Sequence, residues 1–372
     1  MIYFDNAATT KPSANALSKA AVYLTEQYFN PSAMYREGFE LHKKLKETRE
    51  KLLSFVADPS LFELIFTSCG TESDNTAIFS SARRGNAVTT QGEHAAVQNS
   101  FSELKMRGIE TRFASLKRDG SVDEEHLLSL VDEKTSLVSI IHVNNETGAI
   151  NDVNAIAKKV KVKNPRAIVH VDGVQAFGKL PYRLSKDVDF YALSAHKIGG
   201  VKGTGALIKK KSLHLNPYLI GGGQENGLRS GTENLFGIQT LFFAAEEKYQ
   251  DRERKYREMT EKKAILLSRL SDQFVPIANG SPYIASFAVK GVRGEILLHK
   301  VNDLGLIIGT GSACSSNAKK RYSRVILSCG YDEKAADGVI RLSFTDDTTA
   351  EEMEQAADIL REQAEILKEE LK

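Results

Sequence analysis

Between about residues 60 and 210 short apolar runs alternate with helical patterns, and this alternation restricts the chain more than any other feature. The runs are Leu64–Thr67, Leu137–Val143, Ala167–Asp172, Val188–Ser194 and Gly205–Ile208. Such runs fit strands covered on both faces, as in a mainly parallel sheet. The expected architecture is α/β, with ligands bound at the carboxyl ends of the strands.

A chain of 372 residues with 41% hydrophobic content can bury one large core, or a large and a small one, so two domains are expected. Lys and Arg (50) nearly balance Asp and Glu (48) and are interspersed, which points away from a nucleic-acid groove or a membrane-binding surface. Cys69, Cys314 and Cys329 are odd in number and widely spaced, arguing against a disulfide framework and a Cys-rich zinc site. The N-terminus lacks a basic start followed by an apolar stretch, and no segment offers the roughly eighteen apolar residues of a membrane span. A reducing, cytoplasmic setting is the expectation.

Beyond Gly221–Gly223, the chain from Phe236 to about Phe274 reads as helical, with the charged stretch Glu246–Lys255 in its middle. That stretch fits a solvated helix face bridging two domains, with partner binding as the competing account. Strand-like Ala285–Val289 and Val339–Ser343 follow. In the last segment Met353, Ala357, Leu360, Ala364, Leu367 and Leu371 mark one apolar helix face, and Thr348 with Glu351 forms a capping-box pattern at its start.

Four places have residues suited to chemistry. Lys197, in Ser194–Gly200, stands among small residues just after an apolar strand, where desolvation would free its amine for a Schiff base; a solvated surface lysine is the bland alternative. Asp172 closes another strand, and a buried carboxylate needs a cationic partner: a pyridoxal-phosphate (PLP) ring nitrogen or a structural ion pair. Gln175, three residues on, is placed to bond that ring's phenolic oxygen. The segment Thr67–Asp74 resembles a helix start with exposed N–H groups and hydroxyls, fitting either a phosphate site or ordinary capping. His94 is a candidate for stacking on a flat ring or for a structural role. Finally, Cys314 lies in Gly309–Asn317 among small and polar residues that favour an exposed loop, whereas Cys329 reads as a buried helix-end residue and Cys69 as a filler.

Together these motifs resemble the cysteine desulfurases of the NifS and IscS type, which are class V aminotransferase-family, fold-type I PLP enzymes. The resemblance runs from Tyr3–Thr10 and Asn30–Ser32 to the Arg341 segment, with the motifs in the family's order. It implies a large PLP-binding domain over 15–250 and a smaller C-terminal α/β domain made of 1–14 and 251–372, the latter carrying the cysteine loop. It also implies that Lys197 carries the cofactor, Asp172 pairs with the ring nitrogen, and His94 stacks on the ring and shuttles protons. Asn145 and Gln175 would address the ring, while Gly70, Thr71, Ser194 and His196 match phosphate-binding positions. Thr232 matches a residue that reaches the phosphate of a neighbouring subunit's cofactor, implying a homodimer. Arg341 would bind the substrate carboxylate, with Asn145 beside it.

The activity implied is conversion of L-cysteine to L-alanine, with the sulfur kept as a persulfide on Cys314 for a sulfur-acceptor protein. Selenocysteine lyase and class V aminotransferase are the alternatives, and a non-catalytic scaffold would not need the Lys197, Asp172 and His94 set. Iron–sulfur assembly, tRNA thiolation and thiamin synthesis all remain open as destinations. IscS-type members carry a tail beyond the final helix that helps dock the iron–sulfur scaffold, and the chain given stops at Lys372, so a different acceptor or docking surface is expected. Ala195, Gly199, Val201 and Cys69 depart from the family's usual residues without removing a catalytic group.

Overall fold

The computed structural model describes residues 1–278, 280–310 and 322–370. After a short strand β1 (Ile2–Tyr3), seven strands make the larger sheet: β2 (Phe62–Thr67), β3 (Asn86–Thr90), β4 (Glu110–Ala114), β5 (Thr135–Ile141), β6 (Ile168–Asp172), β7 (Phe190–Ser194) and β8 (Gly205–Lys210). Their order is 2-8-7-6-5-3-4. Every neighbouring pair is parallel except the two that include β8.

The apolar runs become strands because both faces are covered. On one face Ile78, Val97, Phe101 and Leu104, from the helices Gly70–Ser81 and Ala95–Met106, pack on Ala87 and Leu137. On the other, Leu41, Val160, Ile238 and Leu241 of three further helices pack with Val138, Val169 and Leu193. Phe101 is fully buried, and its removal to Ala should cost about 3–5 kcal/mol.

Five short strands complete the set: β9 (Phe274–Pro276), β10 (Ile284–Val289), β11 (Leu306–Ile307), β12 (Gly309–Thr310) and β13 (Val339–Ser343). An antiparallel sheet in the order 12-13-10-9 lies under the final helix Ala350–Glu370, which buries Met353, Ala357, Leu360, Ala364 and Leu367 against it. β1 pairs in parallel with β11, so the N-terminus joins this second core, where the Phe4 and Phe344 rings meet edge to face at 4.9 Å.

Two local readings change. The long helix expected from Phe236 to Phe274 is two helices, Leu235–Tyr249 and Arg252–Arg269, with β9 beginning at Phe274. The break falls inside the charged stretch, where Asp251 takes a left-handed conformation at φ 53° that aspartate tolerates better than most residues. The capping box is formed by Thr349 and Glu352, through N–H to side-chain bonds of 3.0 and 3.1 Å, instead of by Thr348 and Glu351. Thr348 Oγ1 is engaged by the Thr345 N–H, which moves the helix start one residue on.

Candidate active site

The carboxyl ends of β3, β5, β6 and β7 converge on one cleft of about 200 Å³. Asp172 ends β6 and Ser194 ends β7; His196 and Lys197 follow in a single 3-10 turn. The chain leaves Asp172 through Gly173, where a Cβ would meet the Tyr191 ring at 1.9 Å, so only glycine lets it turn there. That turn brings Val174 and Gln175 back over the cleft.

At one end of the cleft lies the first turn of the helix Gly70–Ser81, with Gly70 and Thr71 in the lining. Ser194 Oγ lines it too, and is buried with no hydrogen-bond partner among the described residues. A buried hydroxyl left unpaired costs free energy, so this one is set to meet a polar group from outside the chain. Helix-start N–H groups beside an orphan hydroxyl make a phosphate cradle. Glu72 secures that turn: its carboxylate takes the Ser68 N–H at 2.7 Å and the Nε and Nη2 donors of Arg229 at 2.9 and 3.2 Å. Burial works to raise the Glu72 carboxyl, but these bonds outweigh it and hold it below its ordinary value.

A buried carboxylate, Asp172, also lines the cleft. Asp172 is 4% exposed, and its Oδ1 accepts the Val174 N–H at 3.0 Å. Burial raises its pKa, opposed by His94, that N–H and Lys197. A cationic ring nitrogen is the kind of partner that would keep it ionised. His94 caps the helix Ala95–Met106, its Nδ1 accepting the Ala96 N–H at 3.2 Å, and burial lowers its pKa. The neutral ring therefore carries its proton on Nε2 and is a donor there. Lys197 Nζ donates to the carbonyls of Ala7 and Ala8 at 2.6 and 2.8 Å.

Arg341, on β13, is 2% exposed and donates to the Asn145 carbonyl at 2.8 Å and to Asp5 Oδ1 at 2.7 Å. Its Nε has no hydrogen-bond partner among the described residues. Asn145 lines the cleft, so the guanidinium stands behind the rim rather than in the lining. A Cβ at Gly309 would lie 2.9 Å from Arg341 Nη2, and glycine there keeps the approach clear.

The cleft thus gathers nine of the residues singled out in the sequence: Gly70, Thr71, His94, Asn145, Asp172, Gln175, Ser194, His196 and Lys197. Thr232 is elsewhere, in a separate depression with Thr204, Glu225 and Arg229. Cys314 lies outside the described residues. Cys329 is 3% exposed, and burial pushes its thiol up to about 12; Cys69 lines the cleft.

Several buried groups at the site carry no signal in the sequence. Asp74, also in the cleft wall, sits 3.3 Å from His170 Nε2. Burial raises the first well above its ordinary value and lowers the second to about 3, so burial works against an ion pair here. Glu93 accepts from Thr90 Oγ1 at 2.6 Å and the Ile141 N–H at 2.9 Å, and burial lifts it to about 8. Adjacency of Glu93 to His94 was the only available hint.

The donor set fits PLP: a phosphate cradle with an orphan hydroxyl, a buried carboxylate suited to a cationic partner, and a lysine amine in the same cleft. Comparison with known proteins agrees. The aminotransferase class-V family matches residues 2–356, and the chain belongs to that family. It is 36% identical to a cysteine desulfurase of Nostoc sp. over 99% of its own length and 94% of the relative's. It is 32% identical to the cysteine desulfurase NifS of Azotobacter vinelandii, covering 95% of this chain and 90% of that one. A solved NifS-like protein superposes with a TM-score of 0.90 at 34% identity, covering 98% and 99% of the two chains. SspA in complex with cysteine superposes with a TM-score of 0.81 at 27% identity, covering 94% and 100%. The fold is that of the fold-type I PLP enzymes, and PLP is the family's cofactor.

Proposed function

We propose that the chain is a cysteine desulfurase, converting L-cysteine to L-alanine and keeping the sulfur as a persulfide on Cys314 for an acceptor protein. The observation that carries this reading is the meeting of Lys197, Asp172 and the orphan Ser194 hydroxyl in one cleft, in a chain 36% identical to a cysteine desulfurase.

When bound, PLP supplies an electron sink for the pair left behind as the substrate loses its Cα proton. Gly70, Thr71, Ser194 and His196 would hold its phosphate, Asp172 would pair with its ring nitrogen, and Gln175, Asn145 and His94 would address its ring. Lys197 would carry the cofactor, and its Nζ would serve as the base for the substrate Cα proton. The Ala7 and Ala8 carbonyls accept from that Nζ and keep it aimed into the cleft. Arg341 offers N–H groups to the substrate carboxylate, exchanging its Asp5 contact for the ligand's. The Cys314 thiolate bonds to the substrate sulfur as the carbon–sulfur bond breaks; the electron pair of that bond stays with the carbon skeleton, which leaves as alanine after protonation. With Nδ1 occupied, the His94 Nε2 proton would be available as a donor in this step.

A homodimer is part of the same reading. Thr232 lies outside its own chain's cofactor cleft, and Tyr28, Met34, Tyr35 and Phe39 leave large apolar surfaces exposed. Residues 15–250 form the cofactor-binding domain, and 1–14 with 251–372 the smaller one, supported by the membership of Ile2 and Phe4 in the second core. A cytoplasmic location is proposed; no helix among the described residues is long and apolar enough to cross a membrane. Incubation with L-cysteine and no keto-acid acceptor tests the activity. Alanine should form with a matching amount of persulfide-level sulfur, released as sulfide only when a thiol reductant is added; alanine that forms only when a keto acid is added would make the protein an aminotransferase.

A further inference from the structure

Behind the cleft, on the far side of Gln175, lies a lysine that the reaction does not use. Lys179 is 5% exposed, and its Nζ donates to Gln175 Oε1 at 2.9 Å. Gln175 Nε2 in turn donates to the Ala7 carbonyl at 2.8 Å, the same oxygen that takes a bond from Lys197 Nζ.

An amide side chain can be turned over, exchanging its oxygen and nitrogen, and only its partners decide which way it points. Here both partners decide alike. A protonated lysine has N–H groups to give and no lone pair, so it claims the amide oxygen; a backbone carbonyl only accepts, so it claims the nitrogen. The Gln175 nitrogen has a second N–H that the Ala7 carbonyl does not use. We propose that Lys179 is a positioning residue that fixes the orientation of the Gln175 amide, so that an N–H and not a carbonyl is presented to an anionic oxygen of the bound cofactor. This rests on the reading above that Gln175 addresses the cofactor's phenolic oxygen. Burial, with Lys197 and Lys248 adding repulsion, lowers Lys179 to about 7, while Asp346 opposes. Its neutral amine still carries two N–H groups, so the contact to Oε1 survives on both sides of that value.

An N–H given to a phenolate stabilises it in its ionised form and lowers the affinity of the Schiff-base and phenol pair for a proton; a carbonyl in the same place raises that affinity. The visible band of the lysine-bound cofactor reports this as the pH midpoint of its spectral change, with no turnover needed. Gln175→Ala should raise the midpoint by about one pH unit, the size expected for one hydrogen bond to a charged oxygen. Lys179→Met should also raise it. Removing a nearby cation would raise it too, and a double-mutant cycle separates the two causes. If Lys179 acts by orienting Gln175, Lys179→Met shifts the midpoint in the wild-type background and adds nothing in the Gln175→Ala background. An equal shift in both backgrounds, or none in either, overturns the proposal while leaving the role of Gln175 intact. A midpoint unmoved by Gln175→Ala itself overturns the reading of Gln175, and the proposal falls with it. Lys179→Arg, which retains a donor-only cation, should return the wild-type midpoint. Lys179→Gln goes through the same cycle if Lys179→Met does not fold.

Discussion

Lys197 reaches Ala7 across 190 positions of sequence, its Nζ 2.6 Å from the Ala7 carbonyl oxygen. The N-terminal segment that supplies this carbonyl is itself anchored. Asn6 Nδ2 donates to the Ser343 carbonyl at 2.9 Å, and the Ala7 N–H donates to Ser343 Oγ at 2.7 Å. The smaller sheet thus sets where the lysine amine stands, through backbone atoms whose identity no residue type announces.

Loss of Lys197 should remove both colour and turnover. Lys197→Ala, supplied with PLP, is expected to lack the absorption band near the visible edge that the wild type shows. Its alanine production from cysteine should fall to background. A wild type that is fully loaded with PLP yet colourless would count against the assignment of the lysine.

Glu93 makes stability depend on pH. Its carboxyl moves from the ordinary 4.5 to about 8 on folding, chiefly through burial. Below pH 4.5 both folded and unfolded chains keep the proton. From there to about pH 8 the unfolded chain releases it and the folded chain does not, so stability falls as pH rises, by up to a few kcal/mol in order of magnitude. Glu93→Gln keeps an oxygen for the Ile141 N–H and has no charge to bury. In chemical denaturation of the PLP-free protein, its stability relative to wild type should improve steadily between pH 5 and pH 8. Parallel pH profiles for the two proteins would show that Glu93 does not hold a proton in the fold.

The Glu72–Arg229 pair ties the first turn of the phosphate-side helix to the segment leading to Thr232. Its side chains are 8% and 20% exposed. Arg229→Ala leaves a buried carboxylate without its cation, and because Arg229 is partly exposed the expected loss is discounted to about 2 kcal/mol. Retention of PLP during dialysis should weaken as well. The exposed pair Arg36–Glu40 is the control, and Arg36→Ala should leave the denaturation midpoint where it was. Equal effects from the two variants would deny the Glu72 pair any part in holding the cradle.

What could be read in the sequence divides along physical lines. Runs such as Ala167–Asp172 and Val188–Ser194 predicted their strands because burial on both faces demands continuous apolar residues, and Asp172 and Ser194 were visible as polar residues at the ends of those runs. The helix break at Asp251 was not visible, since one left-handed residue leaves the surrounding helical composition unchanged. Thr348–Glu351 and Thr349–Glu352 both spell a capping box, and a local bond from the Thr345 N–H to Thr348 Oγ1 decides between them. Asp74 meets His170 through segments far apart in sequence, which local pattern does not encode; Lys179 stands only four residues from Gln175, but its burial behind that residue is set by the fold.

The central claim is that sulfur leaves cysteine for one particular thiol. Cys329, buried and with its thiol pushed up to about 12, is a poor thiolate and should not take part. Cys314→Ser should still bind cysteine and alter the cofactor's spectrum, yet accumulate no protein-bound sulfur. The direct measurement is mass spectrometry of peptides from the wild type after brief treatment with L-cysteine. The account predicts about one extra sulfur atom on the peptide containing Cys314, absent in Cys314→Ser. Extra sulfur on Cys69 or Cys329 instead, or alanine formed with no sulfur on any cysteine, would contradict it.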